Sequence, residues 1–150
     1  MRRGQAQIEL PASCEHVFAI VHDYERRLEW DSMLSQAYLL DGAAAAGLGV
    51  SSRCVGTWRG GFLALDTTYI RFEQGRLAAV RLANRPPFFA AFAASMRHRA
   101  LAEARSELIY TYSFRARPAL LAPLLEPIMA HLLQHEICTR LESLRRHFAN

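Results

Sequence analysis

The sequence predicts an α+β domain in which an antiparallel sheet of about seven strands is closed by one long C-terminal helix. Three observations carry this. Residues 32–117 break into short segments of strand character separated by turns rich in Gly and Asp. From Pro118 onward the spacing becomes helical, with Leu133, Ile137, Leu141, Leu144 and Phe148 on one stripe. Consecutive antiparallel strands must bury one face, and that helix is the large apolar partner the sequence offers.

The elements follow in order. "QAQIEL" (5–10) alternates polar and apolar residues, as a half-buried strand does, and Pro11 stops it. Ser13 is placed to cap a first short helix carrying Val17, Phe18 and Val21. Asp23 to Trp30 forms a second short helix or a turn. "SMLSQAYLL" (32–40) reads as a strand and is followed by the loop "DGAAAAGLG". Three strands succeed it, "VSSRCVGTW" (50–58), "FLALDTTYIRFE" (62–73) and "RLAAVRLAN" (76–84), joined by hairpin turns at Gly60–Gly61 and Gln74–Gly75. "PFFAAFAASMRHRAL" and "ELIYTYSFRAR" make a last hairpin across a turn near Ala102 to Arg105. Pro118 suits the first turn of the long helix, and Pro127 should bend it.

Composition narrows the classes. The 150 residues fit a single domain, 1–150, of ordinary globular make-up, 51% hydrophobic and 21% charged. The apolar runs fall short of the roughly 18 residues that span a bilayer. "MRRGQAQIEL" lacks the apolar core of a secretory signal, so a cytoplasmic protein is expected. Cys14, Cys54 and Cys138 are scattered and suggest neither disulfides nor a zinc site. The net charge is +4, and every basic side chain other than histidine is an arginine, a bias that GC-rich bacterial codons produce. Those arginines are spread from end to end rather than gathered in a stripe with aromatics, so nucleic acid is not expected as a partner. Nucleophile-elbow, P-loop, dinucleotide and HExxH motifs are absent from the sequence, and no cofactor is implied. His131 and His135 share a helix face without a third ligand at suitable spacing, so no metal is expected.

Strand alternation sets the expected inward face, with arginines assigned to water. Cys54 and Trp58 then point inward from one strand. Asp66, Thr68, Ile70 and Phe72 do so from the next, and Ala78 and Val80 from the third. The last hairpin adds Phe92, Met96, His98, Leu108, Tyr110, Tyr112 and Phe114. A single bulge inverts such an assignment. Asp66 stands out, because an inward carboxylate must be paired, protonated or near a mouth. It is either an acid–base group beside His98 or a tyrosine, or a strand-end residue with access to water. His98 is likewise either a base or a rim residue. Trp30 is either a packing anchor that seats the two short helices or part of a cavity wall.

The strand "IELPAS", the helix "CEHVFAIVHDYERRLEW" and the ending "TYSFRARPALLAPLLEPIMAHLLQHEICTRLESLRRHF" resemble the polyketide cyclase/dehydrase-like branch of the START-like, helix-grip (SRPBCC) superfamily. The resemblance covers nearly the whole chain. It implies a strongly curved sheet wrapped around the C-terminal helix, two short helices after the first strand, and an apolar cavity between sheet and helix. It does not single out one function, since the superfamily includes lipid carriers, hormone binders and cyclases.

The first expectation is a protein that binds or carries a hydrophobic small molecule, such as a lipid, quinone, isoprenoid or polyketide. Its ligand-binding positions are Trp30, Cys54, Trp58, Thr68, Val80, Phe92, Met96, Tyr112, Phe114, Leu125 and Met129. The alternative is a cyclase or dehydratase acting in the same cavity, with Asp66, His98 and Tyr110 as catalytic candidates. A third reading is an interaction module, a homodimer or a protein partner docking on the apolar start of the long helix near Leu124 and Ile128.

Overall fold

The computed structural model describes residues 1–57 and 63–149. Strand β1 (Arg2–Leu10) is followed by helix α1 (Cys14–Val21), a 3₁₀ turn (Tyr24–Arg26) and helix α2 (Arg27–Trp30). Six strands come next: β2 (Leu34–Leu39), β3 (Ser51–Gly56), β4 (Ala64–Glu73), β5 (Leu77–Leu82), β6 (Phe89–Ala102) and β7 (Arg105–Ala116). Helix α3 (Ala122–Ala149) ends the chain. The expected hairpin turn at Gly60–Gly61 lies outside the described residues.

All seven strands form one antiparallel sheet in the order β1-β7-β6-β5-β4-β3-β2. β2 to β7 run as a meander, whereas β1 joins the far edge beside β7. The chain therefore leaves one edge of the sheet and re-enters at the other, and α1 and α2 make that crossing over its open end. Sequence chemistry explains the start of α1. Ser13 is extended (φ −69°, ψ 160°) and its hydroxyl accepts the His16 N–H at 3.2 Å. Val17, Phe18, Ile20 and Val21 are buried from this short helix.

The curved sheet grips α3, whose expected stripe is its inner face. Ile137, Leu141 and Leu144 are buried, and Leu133 and Phe148 pack against the same core. The helix starts four residues after Pro118 and runs through Pro127. A polar tie fixes it to the sheet: the Tyr112 hydroxyl donates to Gln134 Oε1 at 2.7 Å, and Gln134 Nε2 donates to the Gln5 carbonyl at 3.1 Å. Gly4 pairs with Tyr112 across β1 and β7, and a Cβ there would lie 2.3 Å from the tyrosine ring. A glycine at this position is what lets the ring lie across β1 toward α3.

The expected parity holds in β3, β5, β6 and β7 and fails in most of β4. Register shifts between Tyr69 and Arg71, leaving Ile70 as the extra residue of a bulge. Beyond it Arg71 points out and Phe72 in, as expected. Before it the faces are reversed: Leu65, Thr67 and Tyr69 point inward, while Asp66 and Thr68 point outward.

Candidate functional site

Between the concave face of the sheet and the first half of α3 lies a cavity of about 470 Å³. Its walls are mostly apolar: Leu34, Leu63, Leu65, Val80, Phe89, Phe92 and Met96 from the sheet side, and Leu125, Met129, Leu133 and Ile137 from α3. Phe88, Ile128 and Leu132 stand at its mouth, each about half exposed. Phe88 holds a left-handed backbone (φ 72°), which a bulky residue adopts only when its neighbours enforce it. Here the enforcement comes from Arg117. Its backbone N–H donates to the Phe88 carbonyl at 3.0 Å, and its guanidinium donates to the Pro86 and Arg85 carbonyls.

Polar groups gather where the cavity meets α1 and α2. His22 Nδ1 lies 2.7 Å from the Tyr69 hydroxyl, which is 3.2 Å from the Tyr24 hydroxyl. Ser52 Oγ donates to Tyr24 at 3.1 Å. Burial holds His22 neutral, with its pKa lowered to about 3, and Arg27 and His98 push the same way. Burial also raises the Tyr69 and Tyr110 hydroxyls, so both are protonated donors at neutral pH.

Beside this chain sits a buried ionic cluster. Arg27 Nε donates to Asp31 Oδ2 at 3.0 Å, and Arg140 Nε lies 2.9 Å from the same oxygen. Asp31 Oδ1 accepts the Met33 N–H at 3.1 Å, and Arg140 Nη2 donates to Glu136 at 3.1 Å. Burial alone would raise the Asp31 carboxyl, but Arg140 and Arg27 outweigh it and hold the group below its ordinary value. The Arg27 guanidinium also lies over the Trp30 and Tyr24 rings, 4.9 and 5.5 Å from their centroids. Arg27, Arg140, Glu136 and Tyr110 all line the cavity.

The residues singled out from sequence divide accordingly. Cys54, Val80, Phe92, Met96, Tyr110, Leu125 and Met129 line the cavity. Trp58 lies outside the described residues. Asp66 and Thr68 are on the convex face. Asp66 is paired in register with Arg53, which donates to it through Nε at 2.7 Å and Nη2 at 2.8 Å, and Thr68 shares a 2.7 Å hydrogen bond with Ser51. His98 points inward but packs against Phe18 below α1, off the cavity, with neither ring nitrogen hydrogen-bonded among the described residues. Tyr112 and Phe114 belong to the closed core between β7 and α3. Trp30 is a packing residue, 4% exposed, whose carbonyl accepts from the Ser143 hydroxyl. Sequence reasoning missed His22, Tyr24, Arg27, Thr67, Tyr69 and Arg140. For Arg140 a signal existed, since it lies three residues after Ile137 and four before Leu144, inside the apolar stripe.

A family model described as "Polyketide cyclase / dehydrase and lipid transport" matches residues 1–149. The chain belongs to this family. Solved structures share its fold. The aromatase/cyclase ZhuI from Streptomyces sp. R1128 is 15% identical, with a TM-score of 0.79 over 99% of this chain and 93% of that one. A START superfamily protein from Mycobacterium smegmatis is 14% identical, with a TM-score of 0.75 over 97% of each chain. The di-domain ARO/CYC BexL of the BE-7585A biosynthetic pathway is 12% identical, with a TM-score of 0.81 over 99% of this chain. The chain spans 46% of that di-domain protein. Identities this low speak to the START-like, helix-grip fold alone, a scaffold that hosts several functions. No curated protein sequence matches the chain. Among the described residues no helix is long and apolar enough to cross a membrane.

Proposed function

We propose that the protein binds or carries a hydrophobic small molecule in the cavity between its sheet and α3. The observation that carries this is the cavity itself. At about 470 Å³ it has the size of a small-molecule site, with mostly apolar walls and a group of polar side chains where it meets α1 and α2. The family's description names lipid transport beside cyclase chemistry, which fits such a space. Native mass spectrometry of the purified chain, followed by denaturing extraction, tests the reading. A stoichiometric apolar molecule is expected. An apo mass that persists after incubation with lipid, quinone and polyketide extracts would sink it.

A second reading is a cyclase or dehydratase acting in the same cavity. It is favoured by the hydrogen-bonded series His22, Tyr69 and Tyr24 on the cavity wall, with Ser52 donating to Tyr24, which supplies the converging polar groups that proton transfer needs. Tyr110, the one sequence candidate on that wall, is the donor available to a substrate carbonyl. Turnover of a poly-keto substrate that falls at least tenfold in Tyr110→Phe is the outcome this reading requires.

A further inference from the structure

We infer that the ligand is an amphiphile whose single carboxylate head is held by Arg27 and Arg140 at the polar end of the cavity. The inference rests on the proposed binding role and narrows it from any apolar molecule to an anionic one.

The first ground is charge. Both guanidinium groups approach one oxygen, Asp31 Oδ2, at 3.0 and 2.9 Å, so two cations sit side by side against one carboxylate. The Asp31 side chain is fully buried, and its other oxygen is spent on the Met33 N–H. Only Glu136 offsets the second cation, and its side chain is 35% exposed against 14% for Arg140. The four groups balance in formal charge, but Glu136 is the most exposed of them and its charge is the one most screened by water, while both guanidinium groups stay largely buried beside the cavity.

The second ground is hydrogen bonding. Arg27 uses only Nε, and among the described residues its two terminal nitrogens have no acceptor. Arg140 Nη1 and the Tyr110 hydroxyl also lack partners there, and all three residues line the cavity. The free groups are thus donors in surplus, which call for a ligand group that only accepts. A carboxylate offers about four lone-pair sites and matches a guanidinium fork in two parallel bonds. Stacking on Trp30 and Tyr24 fixes the plane of the Arg27 fork before any ligand arrives.

The third ground is position. The cluster lies where α2 meets the middle of α3, with Arg140 roughly two helical turns beyond the exposed Leu132 and roughly three beyond Ile128. A hydrocarbon body entering past those residues meets apolar wall along its length and the two arginines at the end.

The test is a fluorescence titration of the full chain with cis-parinaric acid and with its methyl ester, which differ only in the head, at pH 7.5 and physiological salt. The acid is expected to bind at least ten times more tightly than the ester. In Arg27→Gln the ratio should fall below about three, and Arg27→Lys, which keeps the charge but loses the fork, should fall between. Equal binding of acid and ester to the unmodified chain overturns the carboxylate inference and leaves the binding role standing. Binding of neither overturns both. The comparison on the unmodified chain decides the matter even where Arg27→Gln fails to fold.

Discussion

Mild acid should destabilise this protein through two histidines that are buried without charge. His22 shares its Nδ1 with the Tyr69 hydroxyl, and its Nε2 has no partner among the described residues; His98 has none at either nitrogen. Burial lowers His22 to about 3, helped by Arg27 and His98, and burial alone lowers His98 to about 4. In the unfolded chain both titrate near 6.5. Above pH 6.5 neither state is protonated and the histidines cost nothing. As the pH falls from there, the unfolded chain takes up protons that the folded chain refuses, so stability drops until the folded values are reached. At pH 5 the gap is about 1.5 units, or roughly 2 kcal/mol for each histidine and about 4 for the pair. Typical domains hold only about 5–15 kcal/mol, so the loss is large. Urea unfolding at pH 7.5 and pH 5 measures it, with His98→Leu as the comparison. That change keeps the apolar contact with Phe18 and removes the titration. The variant should lose about 2 kcal/mol less than the unmodified chain between the two pH values, the carboxylates being common to both. Identical losses would refute the reasoning, because His98 would then carry its proton in the folded state.

Three further outcomes are expected. Gly4→Ala should lower the urea midpoint by an amount equivalent to about 1–3 kcal/mol, since the new methyl meets the Tyr112 ring, and Gly4→Ala with Tyr112→Leu should recover part of the loss. Val80→Trp should abolish co-purification of any apolar ligand while circular dichroism stays that of the folded chain, because Val80 faces the cavity from the middle of β5. Asp66→Asn should leave ligand uptake within threefold of the unmodified chain, as Asp66 lies on the convex face beside Arg53; a tenfold loss in the same titration would return it to the site.

Much of the fold was legible because it is written in periodicity. Alternation in β1, β3, β5, β6 and β7 and the 3.6-residue stripe on α3 each depend on neighbours a few residues apart, and local sequence carries that information. Ser13 as a cap and Gly75 (φ 75°) as a turn are local in the same sense. The composition of the cavity wall was legible to the same extent, with Cys54, Val80, Phe92, Met96, Leu125 and Met129 on it.

What tertiary structure alone decided is which polar groups meet. Nothing local marks Ile70 as the extra residue of a bulge, yet that one residue sends Asp66 and Thr68 outward and Tyr69 inward. With Asp66 turned out, Arg53 directly opposite becomes its natural partner, and an apparent acid–base candidate becomes the covered half of an ion pair on the convex face. The reverse happened at the polar end. Arg27 and Asp31 read as ordinary charges on a short helix, and Arg140 as a break in an apolar stripe. Arg27 and Asp31 are one helical turn apart, whereas Arg140 lies far from both in sequence and joins them only because the sheet curls around α3 and brings α2 against its middle. Periodicity sets which way a side chain faces, because that depends on a few backbone angles. Register and curvature set what it faces, because they depend on the closure of the whole sheet.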